Sequence, residues 1–105
     1  MKKIMLVCSA GMSTSLLVTK MEQAAQKLGD EAEIFALPMS DGINRLSTVD
    51  CVLLGPQVRF QKSAIEKLAA GRKNGPIPVE LIDMRDYGTM NGKAVFEMAK
   101  KLIGD

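Results

Sequence analysis

Apolar residues gather in four short runs along the chain, at residues 4–7, 32–37, 51–54 and 79–82. The first and third runs, Ile-Met-Leu-Val and Cys-Val-Leu-Leu, contain no polar residue. Such a run is typical of a β-strand whose two faces are both covered. Proline follows the second run and precedes the fourth, and Gly55-Pro56 follows the third, as expected at strand ends. The pattern therefore predicts four strands, with the first and third fully buried.

Between these strands, apolar residues recur at the three- and four-residue spacing of amphipathic helices. The first predicted helix begins at about Ser13 and ends before Gly29, and the second runs from about Gly42 to Ser47. The third begins at about Phe60 and ends before Gly71, and the last begins at Asn91 and ends near Gly104. The side chains predicted to face the core are Leu17, Met21, Ala24, Ala25 and Leu28 in the first helix, Phe60, Ala64, Ile65, Leu68 and Ala69 in the third, and Val95, Met98, Ala99 and Leu102 in the last.

Three local features complete the prediction of elements. Ser40 or Asp41 is expected to cap the short second helix, and Asn91 the last one, because their side chains accept hydrogen bonds from free backbone N–H groups. Residues 83–90 are predicted to form a polar loop that contains the single tyrosine, Tyr87. Residues 72–76 are predicted to form a turn.

Strands that alternate with helices predict a single α/β domain, spanning residues 1–105, with helices on both faces of a parallel sheet. For four such units the common doubly wound strand order is 2-1-3-4. The order reverses between strands 1 and 3, and ligands bind outside the carboxyl ends of the strands at that position. Residues 8–15 and 55–58 are expected to meet there, so a site is predicted beside Cys8.

Composition and charge exclude several classes of function. The 105 residues are 47% hydrophobic and 25% charged, with a net charge of +2 and no block of Lys or Arg, which gives no support to nucleic-acid or membrane binding. The apolar runs are far shorter than the about 20 residues of a membrane-spanning helix, and the first residues lack the cleavage site of an export signal. We expect a cytoplasmic protein with reduced cysteines. Nothing in the sequence demands more than a monomer.

The chain has no histidine. This excludes Ser-His-Asp and Cys-His pairs within the chain, phosphohistidine, and the commonest metal ligand. Neither a metal nor a cofactor is expected. Covalent chemistry would have to rest on a cysteine, a carboxylate, a hydroxyl or a lysine.

Cys8 ends the first strand and opens a segment of small residues, Ser9, Ala10, Gly11, Met12, Ser13, Thr14 and Ser15, that leads into the first helix. Backbone N–H groups and the helix dipole favour negative charge at such a position, and small residues let the backbone approach a phosphate. The same position favours the thiolate form of a cysteine. The segment could therefore hold a sulfur nucleophile and a phosphate, although an inert core cysteine beside a capped helix is the alternative.

The segment also resembles the P-loop of low-molecular-weight tyrosine phosphatases, in which five residues separate the cysteine from an arginine. The corresponding position here is Thr14. Without that arginine the phosphoryl group lacks a bidentate clamp. The difference argues against hydrolysis and for a protein that accepts a phosphoryl group and passes it on.

A more specific resemblance covers the whole chain. The run from Leu6 to Val18, Leu-Val-Cys-Ser-Ala-Gly-Met-Ser-Thr-Ser-Leu-Leu-Val, is similar to the phosphocysteine loop of the enzyme IIB component of the bacterial sugar phosphotransferase system, lactose/cellobiose type. The run Val-Leu-Leu-Gly-Pro-Gln that ends at Gln57 and the pair Tyr87-Gly88 also resemble that family.

The resemblance implies that Cys8 accepts a phosphoryl group from a phosphohistidine of a partner protein, IIA. Cys8 would then donate it to a sugar bound by the membrane transporter IIC. A free-standing chain of this length implies that IIA, IIB and IIC are separate polypeptides. The sugar, of the cellobiose or lactose type, stays open because specificity in the family resides mainly in IIC.

Four other residues could contribute to the site. Gln57, Arg59 and Tyr87 could assist the phosphate loop, although an arginine at such a position is more often only solvated. Asp83 could act as a general acid, but a carboxylate at a strand end is more often a cap.

Cys51, inside the third strand, is interpreted as a core residue. Two other functions remain open for the whole chain: a low-molecular-weight phosphatase or arsenate-reductase-like enzyme, and a non-catalytic regulatory domain of the same fold.

Overall fold

The four predicted strands form one parallel sheet in the predicted order. The computed structural model describes residues 2–8, 12–71 and 76–104, with only the backbone at residues 12–14. The order of the strands in the sheet is β2-β1-β3-β4. The strands are β1 (Lys2–Cys8), β2 (Ala32–Pro38), β3 (Cys51–Leu54) and β4 (Val79–Leu81). In register, Cys8 lies opposite Pro38 and Val7 lies opposite Leu54. The order therefore reverses beside β1, as predicted.

The described part of the chain also contains five α-helices and two 3-10 helices, and the last two α-helices follow the last strand. They are α1 (Met12–Lys27), α2 (Met39–Gly42) with a 3-10 helix (Ile43–Thr48), a second 3-10 helix (Pro56–Gln61) with α3 (Lys62–Ala70), α4 (Met84–Gly88) and α5 (Gly92–Ile103). The predicted stops at Gly29 and Gly104 are confirmed, since both adopt left-handed backbone angles, with φ of +71° and +91°. Across the residues described, no helix combines the length and the apolar character needed to cross a bilayer.

The core lies on both faces of the sheet because alternate residues of each strand point to opposite sides. Ile4 and Leu6 pack with α1 and α5, in a cluster that includes Leu17, Met21, Val95 and Phe96. Met5 and Val7 pack on the other face, in a cluster that includes Leu46, Val58, Ile65 and Ala69. Helices therefore cover both faces, as predicted, and the apolar runs of β1 and β3 are buried throughout.

The predicted inward face of the third helix is partly wrong. Ile65 and Ala69 are buried, but Phe60 is 75% exposed, Leu68 is 44% exposed and Ala64 is exposed. For Phe60 the reason is that Pro56–Gln61 consists of short 3-10 turns joined by a kink at Val58, where φ is −116° and ψ is 21°, and is not the start of α3. That winding turns Val58 inward and Phe60 outward, and α3 begins only at Lys62. Ala64 and Leu68 lie in α3 itself, each one position before a buried residue, Ile65 or Ala69.

Four smaller predictions are also corrected. Leu28 is 49% exposed because it lies in the turn beyond the last residue of α1. The short second helix begins at Met39 after Pro38, so Ser40 and Asp41 lie inside it and cap nothing. Residues 84–88 form α4 rather than a loop. Phe96, which the predicted stripe of the last helix left out, is fully buried.

An ion-pair cluster fastens the end of the sheet opposite to Cys8. Asp30 lies in the turn before β2, where its N–H donates to the Ala25 carbonyl at 2.9 Å. Its carboxylate accepts a hydrogen bond from Lys100 Nζ at 2.8 Å, and its other oxygen lies 3.7 Å from Lys2 Nζ. The Lys100 hydrogen bond is the main cause that lowers the pKa of Asp30 below its ordinary value of 3.8. Asp30 thus links α1 through its backbone N–H to β1 and α5 through its carboxylate.

Asp30→Asn is expected to lower stability at neutral pH, with a loss that disappears in acid. Because the pKa is lowered in the folded protein, the carboxylate stabilises the fold above the ordinary value of 3.8, and this contribution is lost as pH falls through the lowered pKa. Urea unfolding of both proteins between pH 2 and pH 7 measures the difference. A gap between the two midpoints that stays constant down to about pH 2 would contradict this account.

Candidate functional site

Cys8 is positioned by the central strand of the sheet. It is the last residue of β1, only 4% exposed, and its Sγ lies 4.0 Å from the Leu37 carbonyl oxygen of β2. The alternation of side chains along β1 places Cys8 on the face of Ile4 and Leu6, the face that α1 covers. The thiol therefore lies between the end of the strand and the helix that follows.

The start of α1 is electropositive. Only Ser9, Ala10 and Gly11 separate Cys8 from the first helical residue, Met12, and no acidic side chain occupies the first turn of this 16-residue helix. The free N–H groups of the first turn and the helix dipole favour an anion there. Residues 9–11 and the side chains of residues 12–14 lie outside the described part, so their predicted contacts with phosphate remain predictions.

Ser15, the last residue of the predicted phosphate segment, is exposed in the first turn of α1. Its carbonyl oxygen accepts a hydrogen bond from Thr19 Oγ1 at 3.2 Å. The residue therefore belongs to the regular helix.

The second predicted segment does meet the end of β1. Gly55 N–H donates to the Val7 carbonyl at 3.0 Å, and the Val58 N–H donates back to the Gly55 carbonyl at 3.0 Å. A Cβ atom on Gly55 would lie 3.0 Å from Gln57 Oε1 and 3.4 Å from the Tyr87 ring. Gly55 is thus the position around which β1, Gln57 and Tyr87 converge, and its missing side chain leaves them room.

Tyr87 and Asp83 follow β4 but play different structural parts. Tyr87 is 8% exposed and packs in the cluster that contains Phe96. Asp83 caps α4, since its Oδ1 accepts hydrogen bonds from the N–H groups of Arg85 at 2.8 Å and Asp86 at 3.3 Å. The interpretation of Asp83 as a cap is confirmed. Tyr87 lies beside Gly55, and its predicted assistance to the phosphate loop remains a prediction.

Arg59 is exposed on the 3-10 helix that follows Gly55. It lines a groove of about 560 Å³ together with Gln57, Phe60, Met84 and Tyr87. Two members of this group were not predicted at the site: Phe60, which the sequence assigned to the core, and Met84, which is 67% exposed. A single methionine after a strand has no periodic pattern that distinguishes it from a core residue.

Cys51 differs from Cys8 in its surroundings. It lies at the start of β3 with no exposed surface, and burial together with the negative charge of Asp50 raises its pKa to about 12. Its thiol stays protonated at neutral pH, which excludes it as a nucleophile. Both cysteines are free thiols.

In the segments that the structure describes, no group of three or more Cys, Asp or Glu side chains could hold a metal ion. The contact that the structure gives for the Cys8 thiol is the Leu37 carbonyl oxygen, 4.0 Å from Sγ.

Comparisons with known proteins agree on one family. The family profile described as "PTS system, Lactose/Cellobiose specific IIB subunit" matches residues 3–98. The oligo-beta-mannoside-specific EIIB component of Bacillus subtilis is 50% identical over 103 residues, which cover 98% of this chain and 97% of that protein. The galactose-specific EIIB component of Lactococcus lactis is 44% identical and covers 97% of this chain and 96% of its own length.

A solved structure supports the same assignment. The solution structure of the cellobiose-specific IIB component from Borrelia burgdorferi superposes with a TM-score of 0.79 at 40% identity, covering 98% of this chain and 92% of that one. Matches of this identity and coverage extend over all four strands and the helices between them. The chain belongs to the lactose/cellobiose-specific IIB subunits of the phosphotransferase system, and it is a phosphotransferase of that family.

Proposed function

We propose that this chain is a cytoplasmic phosphocarrier that accepts a phosphoryl group on Cys8 from a phosphohistidine of IIA. The phosphoryl group then passes to a sugar held by the membrane transporter IIC. The observation that carries the proposal is the placement of Cys8, which ends a central strand three residues before α1, a helix with no acidic side chain in its first turn. Family membership supports it, because EIIB components are phosphotransferases.

In the first transfer, a lone pair of the Cys8 thiolate attacks phosphorus and the P–N bond to the partner histidine breaks. The imidazole nitrogen keeps that electron pair, and because the other ring nitrogen carries a proton, the histidine leaves as neutral imidazole. In the second transfer, a sugar hydroxyl oxygen attacks phosphorus and gives its proton to a base on the transporter or to water, while the S–P bond breaks and its electron pair regenerates the thiolate. Backbone N–H groups of residues 9–15 are proposed to hold the equatorial oxygens.

Of the cysteines, only Cys8 suits this chemistry. The thiolate is the nucleophilic form of the side chain, and the Cys51 thiol is held protonated by burial. The absence of histidine in the chain is consistent with a donor histidine on another protein.

The sugar is proposed to be a β-linked saccharide. The relatives are named for oligo-beta-mannoside, galactose and cellobiose, at 44–50% identity to this chain. Because these names differ at similar identity, the IIB sequence does not separate one sugar from another.

The proposal is tested by incubating the purified chain with phosphoenolpyruvate, the general phosphotransferase proteins and a IIA protein of the same family. Intact mass spectrometry is expected to show the addition of one phosphoryl group, and peptide mapping is expected to place it on Cys8. Modification of any other residue, or none with IIA itself fully phosphorylated, would overturn the proposal.

Thr14→Arg is expected to shorten the lifetime of the phosphorylated protein. Thr14 stands where the phosphatase P-loop has an arginine, and an arginine clamp stabilises the transition state of phosphoryl transfer. Restoring it should speed attack by water by at least about tenfold. The loss of phosphoryl mass with time, measured after IIA is removed, gives both lifetimes. Equal lifetimes would show that the missing arginine does not protect the phosphocysteine, and Thr19→Arg, five positions farther along α1, serves as the control.

A further inference from the structure

Three lysine side chains converge on one cavity that the proposed chemistry does not use. Lys20 and Lys27 of α1 and Lys93 of α5 line a concave space of about 430 Å³ between the two helices. No aspartate or glutamate is among the described residues that line it. We call this space the α1–α5 cavity. Its charge is of one sign, and a cleft lined by charges of one sign concentrates ions of the opposite sign.

The α1–α5 cavity lies away from Cys8. Lys20 follows Met12, the first residue of α1, by eight positions, which is about 12 Å along the helix axis. Lys27 follows Met12 by fifteen positions, which is about 22 Å. None of the described residues that line the cavity also lines the groove that contains Arg59. An anion held in the cavity is therefore a different group from a phosphoryl group carried on Cys8.

The three lysines of the cavity have no carboxylate partner. Other lysines of the chain are paired, since Lys62 lies 3.7 Å from both Glu66 and Glu80, and Lys100 lies 2.8 Å from Asp30. Within the described residues, the ammonium groups of the cavity form no ion pair. Like charges that share a cavity repel one another, so an anion that enters the cavity both attracts the ammonium groups and relieves their repulsion.

The wall of the cavity is held in place before any ligand binds. Gly92 has no side chain, and a Cβ atom there would lie 2.6 Å from the Lys20 carbonyl oxygen, so the two helix backbones are in close contact. Just before α5, the Asn91 N–H donates to the Asp86 carbonyl at 2.9 Å, and Asn91 Oδ1 accepts from the Ala94 N–H at 3.2 Å. A preformed cavity loses little conformational freedom on binding, which favours affinity.

The rest of the lining suits a sugar rather than a bare ion. Asn91 Oδ1 is occupied by α5, which leaves the Asn91 NH2 group as a hydrogen-bond donor, and Gln23 offers both a donor and an acceptor. Leu28 and Met90 add apolar surface, which the C–H groups of a sugar ring can contact. The volume of about 430 Å³ lies within the range of small-molecule sites, about 300–1,000 Å³.

We propose that the α1–α5 cavity binds a phosphorylated sugar. The phosphate is held by the ammonium groups of Lys20, Lys27 and Lys93, and the sugar hydroxyls are held by the side chains of Gln23 and Asn91. The source of this ligand rests on the proposed function, because transfer of the phosphoryl group to a sugar yields a sugar phosphate. The chain thus carries a binding site for the product of the transfer, separate from the cysteine that supplies the phosphoryl group.

The test is a titration of the isotopically labelled chain with glucose 6-phosphate, followed by the NMR chemical shifts of the backbone amides. The amides of residues 20–28 and 90–93 are expected to shift, with a Kd of about 1 mM that rises with salt concentration. Inorganic phosphate is expected to bind at least about fivefold more weakly, because it lacks the sugar that Gln23 and Asn91 contact. Glucose is expected to cause no shifts, because it lacks the charge that the lysines attract.

Lys20→Gln, Lys27→Gln and Lys93→Gln each remove one positive charge from the cavity. Each is expected to raise the Kd for glucose 6-phosphate by about fivefold, since each deletes one charge-assisted contact. Lys67→Gln is the matched control, because it removes an exposed lysine of α3 that does not line the cavity, and it is expected to keep the wild-type Kd. All four lysines are exposed, so the variants should fold normally, and the spectra of the free proteins check this.

Three results would overturn the proposal. The first is the absence of shifts at residues 20–28 and 90–93 at a glucose 6-phosphate concentration about tenfold above the expected Kd, including shifts confined to residues 8–15. The second is equal affinity for inorganic phosphate and glucose 6-phosphate, and the third is an equal Kd in Lys67→Gln and the cavity variants. The titration does not use IIA. Failure of the chain to accept a phosphoryl group from IIA would therefore contradict the proposed function while the binding result stands.

Discussion

Cys8→Ser is expected to abolish phosphoryl acceptance, while Cys51→Ala keeps it. A serine hydroxyl at position 8 would occupy the same place at the end of β1 but would not ionise at neutral pH, so no anionic nucleophile is present to attack phosphorus. Cys51 is buried in β3 with its pKa raised to about 12, so its removal leaves the reacting group untouched. Cys8→Ser should therefore gain no phosphoryl group, whereas Cys51→Ala should gain one phosphoryl group per molecule.

The measurement is the fraction of protein that gains one phosphoryl mass after incubation with phosphoenolpyruvate, the general proteins and IIA. Alanine is chosen at position 51 because a serine would bury an additional hydroxyl where no exposed surface remains. Circular dichroism of both variants checks that the fold is retained. Stable phosphorylation of Cys8→Ser, or its loss in a folded Cys51→Ala protein, would refute the assignment of the nucleophile.

Gly92→Ala is expected to destabilise the fold by about 3 kcal/mol, at the upper end of what overpacking typically costs. Gly92 is the first residue of α5 and is fully covered by α1. A Cβ atom there would lie 2.3 Å from the carbonyl carbon of Lys20 and 2.6 Å from its carbonyl oxygen. These are backbone atoms that cannot rotate away. The two helices would have to separate and loosen the cluster that contains Leu17 and Phe96.

Helix propensity alone would predict the opposite result for Gly92→Ala, since alanine in a helix is more stable than glycine by about 1 kcal/mol. Gly71→Ala is the matched control, because its Cβ would meet the Lys67 carbonyl at 3.7 Å, an ordinary contact. Its effect should stay within about 0.5 kcal/mol. Urea unfolding followed by circular dichroism measures both variants. A Gly92→Ala midpoint equal to that of wild type would show that α1 and α5 are free to separate without cost.

The hydrophobic pattern was sufficient to predict the sheet because a strand that is buried on both faces has an uninterrupted run of apolar residues. The runs of β1 and β3 contain only apolar residues, and a parallel sheet with two covered faces is the arrangement that such runs indicate. The caps at Asn91 and the stops at Gly29 and Gly104 were predictable for a similar reason. Each depends on the local chemistry of one residue, which neighbouring elements do not alter.

The pattern failed where a residue's environment depends on winding or on a neighbour. Phe60 has the spacing of a core residue, but the 3-10 turns after Pro56 rotate it into solvent. Gly92 looks like a weak helix former in sequence, yet it is required by the approach of Lys20, which is 72 positions earlier in the chain. Contacts of this kind have no signal in a single sequence.

The same division applies to the site. The sequence by itself determined the nucleophile candidate, because Cys8 stands between a buried strand and the start of a helix in a chain without histidine. Only the tertiary structure decided what surrounds it: the register that places Leu37 and Gly55 beside β1, the approach of Tyr87, and the groove between Phe60 and Met84. The physical reason is the distance along the chain between the residues that interact. A strand end and a helix start are set by residues a few positions apart, whereas the surface beside them is assembled from segments that only the folded sheet brings together.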